Sequence, residues 1–303
     1  MEVIYLKNVE DINLEIKNLS LVLGYFDGVH IGHSQLISFA KSNCEDGYLG
    51  VLTFDKPLKS IEGALTDLDT KIELMDELGV DYLFIIVCDD NFKHLSYVDF
   101  VDKVLKKLNP SSLFCGPDFK FGYEALGDVS YLKERFNKVY VLNYVQDHHG
   151  VKISSSKIKD LIIDGDIKNA NRWLGRPYMM RGFIAHGKSN GRTLGFPTAN
   201  LISHTNYVVP LDGVYITKSR VEGVVYPSIT NVGLNPTIAK LSAPSIETYL
   251  LGYDGDLYGK EMDLYFYERL RDEIKFTSVE DLIKQIELDK DKALNYFKFK
   301  KIN

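Results

Sequence analysis

Three stretches in the first half of the chain are almost continuously apolar: SLVLGYF (20–26), LGVLTF (49–54) and DYLFIIV (81–87). A strand that is apolar at successive positions buries both its faces, which demands packed layers on both sides of its sheet. Helical spacing fills the intervals. HSQLISFAKSN follows the first run, and Asp69 to Leu78 the second. Tyr97 to Leu108 follows the third, with Leu95, Val98, Val101, Val104, Leu105 and Leu108 predicted to share one face. SLFCG (112–116) and VYVLNYV (139–145) extend the alternation. Strands alternating with helices predict a doubly wound parallel sheet, with ligands at the carboxyl ends of its strands.

The pattern changes near Tyr178. YMMRGFIAHG, GVYITKSRV, GVVYPSITNV, SIETYLLGY and MDLYFYERL are strand-like, and Asp212-Gly213, Glu222-Gly223 and Asp254-Gly255 mark turns between them. An antiparallel sheet or small barrel is expected. Ser278 to about Phe297 reads as a closing helix, with Ser278 as N-cap and Asp281 three residues on. The change falls near Trp173–Pro177, after the helical pieces SSSKIKDLIIDG and IKNANRWLG. Domains of 1–175 and 176–303 follow, and 303 residues suffice for two cores.

Charge narrows the partners. Lys+Arg 36 against Asp+Glu 42 gives −6, which speaks against a nucleic-acid partner. Cys44, Cys88 and Cys115 are far apart and form no CxxC, so a reducing, cytoplasmic setting without structural zinc is expected. The opening MEVIYLKNVEDINLEI lacks the plan of a signal peptide, and no window reaches ~18 apolar residues, so no membrane partner is expected. Oligomeric state is not legible.

The first chemical candidate is GYFDGVHIGH (24–33). It runs from a strand through Gly24, Gly28 and Gly32 into a helix. Glycines permit close backbone approach, and amides at a helix N-terminus attract phosphate. His30 and His33, three apart, project from one side and can donate to a polyphosphate whose charge grows in a transition state. The rival readings are a glycine turn with two surface histidines, or a zinc site. H-x-G-H lacks the glutamate and the helical context of a metalloprotease. A second group, Ser155, Ser156 and Lys157, reads either as a helix start or as a phosphate contact, because both use the same geometry.

This segment closely resembles the H-x-G-H signature of the nucleotidyltransferase superfamily. Its form G-x-F-D-G-V-H-x-G-H is that of the bacterial FAD synthetases, the bifunctional riboflavin kinase/FMN adenylyltransferases. GPDFKFGYEALGD (116–128) and ISSSKIKDLIIDGDI (153–167) resemble two further segments of that family. The resemblance implies that Gly24, Phe26, Asp27, Gly28, His30, Gly32 and His33 hold ATP, with Ser155, Ser156 and Lys157 on its triphosphate. Asp118, Phe119 and Phe121 become flavin contacts, and Tyr123 a further aromatic for stacking. Two departures stand out. TFDKPLK (53–59) replaces the family's T-F-x-P-H-P, and Lys157 and Lys159 stand where the family's serine segment has its Arg-rich end.

The second candidate is GFIAHGKSNGRTLGFPTAN (182–200). Gly182 to Ser189 satisfies the P-loop pattern, but two glycines and a proline within eight residues of Ser189 forbid the helix that motif needs. Gly187, Lys188 and Arg192 therefore read as a flexible cationic flap for phosphate. GFPTANL (195–201) resembles the P-T-A-N motif of riboflavin kinases, which implies that Thr198 and Asn200 bind ATP phosphates and Mg²⁺. GRPY (175–178), NVGLNPTI (231–238) and ERLRDEIKF (268–276) follow in the family's order, implying flavin contacts at Asn231 and Arg271. Glu247 alternates with apolar neighbours and faces the same way as Tyr249, as an exposed strand residue or a general base. The resemblance implies the base.

Together these segments cover residues 20 to 295. They imply a Rossmann-like α/β nucleotidyltransferase domain, then a mostly antiparallel β-barrel riboflavin kinase domain with a C-terminal helix. The implied chemistry is phosphorylation of riboflavin to FMN and adenylylation of FMN to FAD, with ATP and Mg²⁺. A kinase with weakened adenylyl transfer, and a flavin-binding regulatory protein without turnover, are the alternatives.

Overall fold

A computed structural model of the chain describes residues 1–7, 16–44, 46–56, 63–185, 196–234 and 244–299. By packing, it divides into two compact units. The first is Met1–Ile61 with Thr66–Ser155, and the second is Glu62–Leu65 with Ser156–Asn303.

The first unit carries β1 (Glu2–Leu6), β2 (Leu19–Leu23), α1 (Ile31–Ser42), β3 (Tyr48–Phe54), α2 (Leu68–Glu77) and β4 (Tyr82–Ile86). After these come α3 (Asp90–Lys93), α4 (Tyr97–Asp99), α5 (Lys106–Leu108), β5 (Ser112–Cys115), β6 (Lys120–Phe121), β7 (Gly127–Asp128), α6 (Val129–Arg135) and β8 (Val139–Val141). Six strands form one sheet in the order β1-β4-β3-β2-β5-β8, and every pair is parallel. The doubly wound expectation holds. Leu19, Leu21 and Leu23 pack on one face of β2 with Phe100, Val104 and Leu105, while Val22 packs on the other with Leu36, Ile37 and Met75. This is why the run shows no polar alternation.

Chain order reverses between β2 and its neighbour β5. The connection after β2 leads to β3 on one side, and that after β5 leads to β8 on the other. A crevice opens at the carboxyl ends of such a strand pair. The loops that leave β2 and β5 are GYFDGVH and GPDF.

Three local expectations need correction. Residues 97–108 are helical, but Phe100–Leu105 forms a π-helix, and Lys106 N–H reaches back five residues to the Val101 carbonyl. The wider turn shifts the apolar stripe, so Phe100 is 2% exposed and Val98 is 40% exposed. The strand expected over 139–145 ends at Val141. Glu2–Leu6, which showed no strand signal, pairs with β4 along its whole length.

The second unit begins with α7 (Ser155–Ile163), whose first residue still belongs to the first unit, and α8 (Ile167–Leu174). Six strands follow: β9 (Tyr178–Ala185), β10 (Thr198–Ile202), β11 (Gly213–Val221), β12 (Val224–Leu234), β13 (Pro244–Leu250) and β14 (Glu261–Arg271). They close into an antiparallel barrel in the order β10-β13-β12-β11-β14-β9. The last helix, α9 (Val279–Phe299), starts at Ser278, whose hydroxyl oxygen accepts from Asp281 N–H at 3.1 Å. Ile286, Ala293, Leu294 and Phe297 of this helix pack on Val214, Ile216 and Ile229 of the barrel wall. Asn171 ties α8 to the barrel, accepting from Tyr178 N–H and donating to the Phe266 carbonyl. The boundary by packing therefore precedes the change to strands alone, which comes at β9.

Five hydroxyls of the barrel are fully buried and joined in a row: Ser219, Ser228, Thr217, Thr230 and Thr248, at 2.8–2.9 Å spacing. Each satisfies its neighbour, so polar residues fill core positions without leaving unpaired groups.

Candidate active sites

The loop after β2 is built from backbone that side chains rarely tolerate. Phe26 (φ +56°), Gly28 (φ +81°) and Val29 (φ +38°) are all left-handed. For a β-branched residue such as Val29 this is a true outlier, and such strain persists only where the surroundings enforce it. Here three contacts do so. Gly28 N–H donates to Thr66 Oγ1 at 3.3 Å, Ser155 Oγ donates to the Asp27 carbonyl at 2.9 Å, and Val29 N–H donates to the Phe26 carbonyl at 3.2 Å. The reward is an exact seat for two imidazoles.

His30 is the N-cap of α1, and its Nδ1 accepts from His33 N–H at 3.3 Å. An accepting Nδ1 carries no proton, so the neutral ring holds its N–H at Nε2. The two rings stack with centroids 3.6 Å apart and planes 16° apart, and Phe26 meets His33 edge-on at 5.1 Å. Two glycines leave the room. A Cβ on Gly32 would stand 3.1 Å from the His30 ring, and one on Gly24 would stand 2.7 Å from the Phe26 ring. The glycine inside H-x-G-H is thus a matter of space for His30.

One residue here escaped the sequence reading. Lys71 of α2 is buried beneath the loop, with Nζ 3.0 Å from the Tyr25 carbonyl, 3.3 Å from the Phe54 carbonyl and 3.5 Å from Thr53 Oγ1. The ammonium also lies 4.3 Å from the Tyr25 ring centroid. Burial pulls Lys71 down to about 8, against the opposing influence of the Asp27 carboxylate. A signal existed: Lys71 sits four residues before Met75, on the inward face of an otherwise amphipathic helix.

The loop after β5 divides the predicted flavin contacts. Asp118 is exposed and pairs with Lys152 at 2.7 Å, and that ammonium lies 3.6 Å from the Tyr144 ring centroid. Phe119 is half-buried. Phe121 is only 5% exposed, packed against Phe100 and stacked on Phe119 at 5.6 Å. This corrects the expectation for Phe121: its ring is core that supports Phe119. Tyr123 is exposed and stacks on His94. Ser155 is tied to the first loop as described, and Ser156 and Lys157 stand exposed on the first turn of α7. Cys88 and Cys115 are buried thiols, and burial pushes them up to about 12 and about 11.

In the barrel, register brings distant residues together. Asn200, Glu247 and Asn231 are direct partners across β10, β13 and β12. The row continues through Val214 of β11 to Arg271 of β14. Thr198, Tyr249 and Ile229 form the next row on the same face. A cavity of about 330 Å³ opens there, lined by Thr198, Asn231, Glu247, Tyr249, Arg271 and Asp289 among others. Asn200 is outside that lining, although it lies opposite Glu247. GFPTANL is therefore in part a strand.

The cavity's charges are spoken for to different degrees. Glu247 accepts from Ser245 Oγ at 3.2 Å. Asn231 Nδ2 donates to Glu273 at 3.0 Å. Arg271 donates through Nε and Nη2 to Asp289 at 2.9 and 2.8 Å, and Gln285 donates to the other oxygen of that carboxylate. Asp289 is 1% exposed, so the pair is desolvated and fixes α9 against the cavity mouth. Arg271 therefore has a structural partner as well as a place on the cavity wall. Gly187, Lys188 and Arg192 lie outside the described residues. So do residues 235–243, which follow Asn231, and residues 57–59 of the altered TFDKPLK segment.

Known proteins resemble both units. A family model described as riboflavin kinase matches residues 174–297, and one described as FAD synthetase matches residues 13–157. A bifunctional riboflavin kinase/FMN adenylyltransferase of Bacillus subtilis (strain 168) is 36% identical over 293 residues, covering 91% of this chain and 92% of the relative. One from Listeria monocytogenes is 35% identical, covering 92% and 93%. The crystal structure of a macrolide-efflux protein from Streptococcus pneumoniae superposes with a TM-score of 0.88 at 30% identity, over 97% of this chain and 99% of that one. Among the described residues, no helix is long and apolar enough to cross a membrane.

Proposed function

The chain belongs to the bifunctional riboflavin kinase/FMN adenylyltransferases, and on that footing we propose that His30 and His33 serve the second reaction and Glu247 the first. The enzyme phosphorylates riboflavin with ATP to give FMN, then joins FMN to the adenylyl group of a second ATP to give FAD and pyrophosphate.

In the barrel, the ribityl hydroxyl attacks the γ-phosphorus of ATP. The new O–P bond forms as the bond to ADP breaks, and Glu247 takes the hydroxyl proton. Thr198 stands one row away to meet phosphate oxygens, and the rest of the catalysis is positioning and charge neutralisation. Thr198 and Asn200 offer neutral oxygens, a donor set that suits Mg²⁺ when phosphates complete its shell. When bound, the ion neutralises phosphate charge.

In the parallel-sheet unit, an FMN phosphate oxygen attacks the α-phosphorus of ATP and the bond to pyrophosphate breaks. The nucleophile is already anionic, so no strong base is required. His30 donates from Nε2, and the stacked His33 lies within reach of the same charge. Backbone N–H groups at the start of α1 receive further phosphate oxygens. Phe119 offers its ring to the isoalloxazine. A cytoplasmic setting suits three free cysteines and these substrates.

The observation that carries this reading is the seat of His30: an N-cap imidazole whose accepting Nδ1 fixes the proton on Nε2. The test is product analysis. The purified chain with riboflavin, ATP and Mg²⁺ yields FAD, resolved by chromatography, with FMN as a transient. FMN that accumulates without FAD removes the adenylyl assignment, and absence of both removes the enzyme reading.

A further inference from the structure

Lys71 is a buried charge that neither reaction has used. An ammonium taken out of water is costly unless it finds compensating partners. Its three oxygen partners are neutral: two backbone carbonyls and one hydroxyl. Its aromatic neighbour, Tyr25, is neutral too. The place of these contacts is telling. Phe54 ends β3, and Tyr25 stands two residues after β2, so Lys71 ties together the carboxyl ends of two adjacent parallel strands. Ligands of such sheets bind there.

The Tyr25 carbonyl accepts twice, from Lys71 Nζ at 3.0 Å and from Thr53 Oγ1 at 2.8 Å. That peptide unit leads directly into the left-handed Phe26, the residue whose ring steadies His33. Asp27, Asp55 and Cys88 are the ionisable groups that face the ammonium, with Tyr25 itself. We propose that Lys71 is a positioning residue of the adenylyltransferase site: it fixes the Tyr25 peptide from which the strained histidine loop starts, and its buried positive charge is matched to the polyphosphate that binds above. The proposal rests on the adenylyl-transfer reading of this unit. It also accounts for a lysine where a leucine would pack at less cost: the binding of a polyanion rewards the charge.

The test uses the full chain with FMN, ATP and Mg²⁺, and follows FAD formation as kcat and KM for ATP over pH 6.5–9.5. Riboflavin phosphorylation by the same preparation serves as the folding control. Lys71→Met keeps the length of the side chain and removes its charge and donors. It should lower kcat/KM for ATP in FAD formation roughly tenfold to a hundredfold, and leave riboflavin phosphorylation within about twofold. Lys71→Arg should restore part of the loss. Wild-type FAD formation should decline in the alkaline limb as the ammonium loses its proton, and Lys71→Met should lack that limb. Unchanged kcat and KM in Lys71→Met overturn the proposal. So does parallel loss of both activities in Lys71→Met and Lys71→Arg, which marks a structural prop. A wild-type chain that makes FMN and no FAD fails differently, since it removes the underlying reading together with the proposal.

Discussion

The two units store their sites in different ways. The first keeps its two proposed catalytic imidazoles inside ten consecutive residues, where three left-handed backbone positions and an N-cap seat them. The second draws its proposed residues from four strands, and Asn200, Glu247, Asn231 and Arg271 share one row, with Val214 between the last two, only because the barrel register aligns them. A local site is protected by loop geometry and fails when a single atom intrudes. A register site is protected by every hydrogen bond of the barrel, and it fails through loss of a charged group or of the helix that closes it.

The sharpest way to break this comparison is a pair of reciprocal substitutions. His30→Ala should lower FAD formation from FMN by about a hundredfold or more and leave riboflavin phosphorylation intact. Glu247→Gln should lower riboflavin phosphorylation by roughly a hundredfold or more and leave FMN-to-FAD conversion intact. Steady-state assays of each half-reaction decide the matter, and joint loss in either variant would sink the two-site assignment. Next comes the closing helix. Arg271→Met leaves the Asp289 carboxylate buried without its cation, which costs the barrel unit about 3 kcal/mol. Urea unfolding should show that loss, together with a raised KM for riboflavin.

Smaller effects probe the local site. Gly32→Ala brings a Cβ to within 3.1 Å of the His30 ring, yet alanine favours a helix over glycine by about 1 kcal/mol. FAD formation should fall about tenfold while the melting temperature holds or rises. A fall in both would show that the glycine serves folding. The last effect is a linkage effect. In the folded chain Lys71 loses its proton at about 8, below its ordinary 10.5. Between those values the unfolded chain binds the extra proton, so stability rises with pH through this window. Wild type should therefore gain stability relative to Lys71→Met between pH 7 and pH 10, as measured by paired thermal melts.

Much of this was legible in the sequence where the determinant is local. The apolar runs at 20–26, 49–54 and 81–87 announced a sheet buried on both faces, and the glycines of 24–32 announced the loop between β2 and α1. Glu222-Gly223 marked the β11–β12 hairpin, whereas Asp212-Gly213 and Asp254-Gly255 fall where the chain crosses to a strand that is not its neighbour, and Ser278 marked the start of α9. What escaped is set by contacts far apart in sequence. β1 shows no strand pattern because its exposure follows from an edge position beside β4. The π-helix at Phe100–Leu105 moved Val98 out and Phe100 in, which no fixed helical period foresees. Phe121 looked like a ligand platform because an aromatic's sequence neighbours do not say which way its ring turns. Lys71 drew no notice, because the Tyr25 and Phe54 carbonyls it bonds lie far from it in the chain. Glu247 was singled out, but its partners Asn200 and Asn231 became its neighbours only through register.

The buried row from Ser219 to Thr248 has a consequence of its own. Each hydroxyl owns one proton, and four bonds link five oxygens. Five protons serve four bonds, so one hydroxyl keeps its proton spare, and the bonds on either side of it point towards it. The barrel interior is specified by an orientation as well as by a shape. A valine in place of Thr217 would keep the shape and cut the row in two.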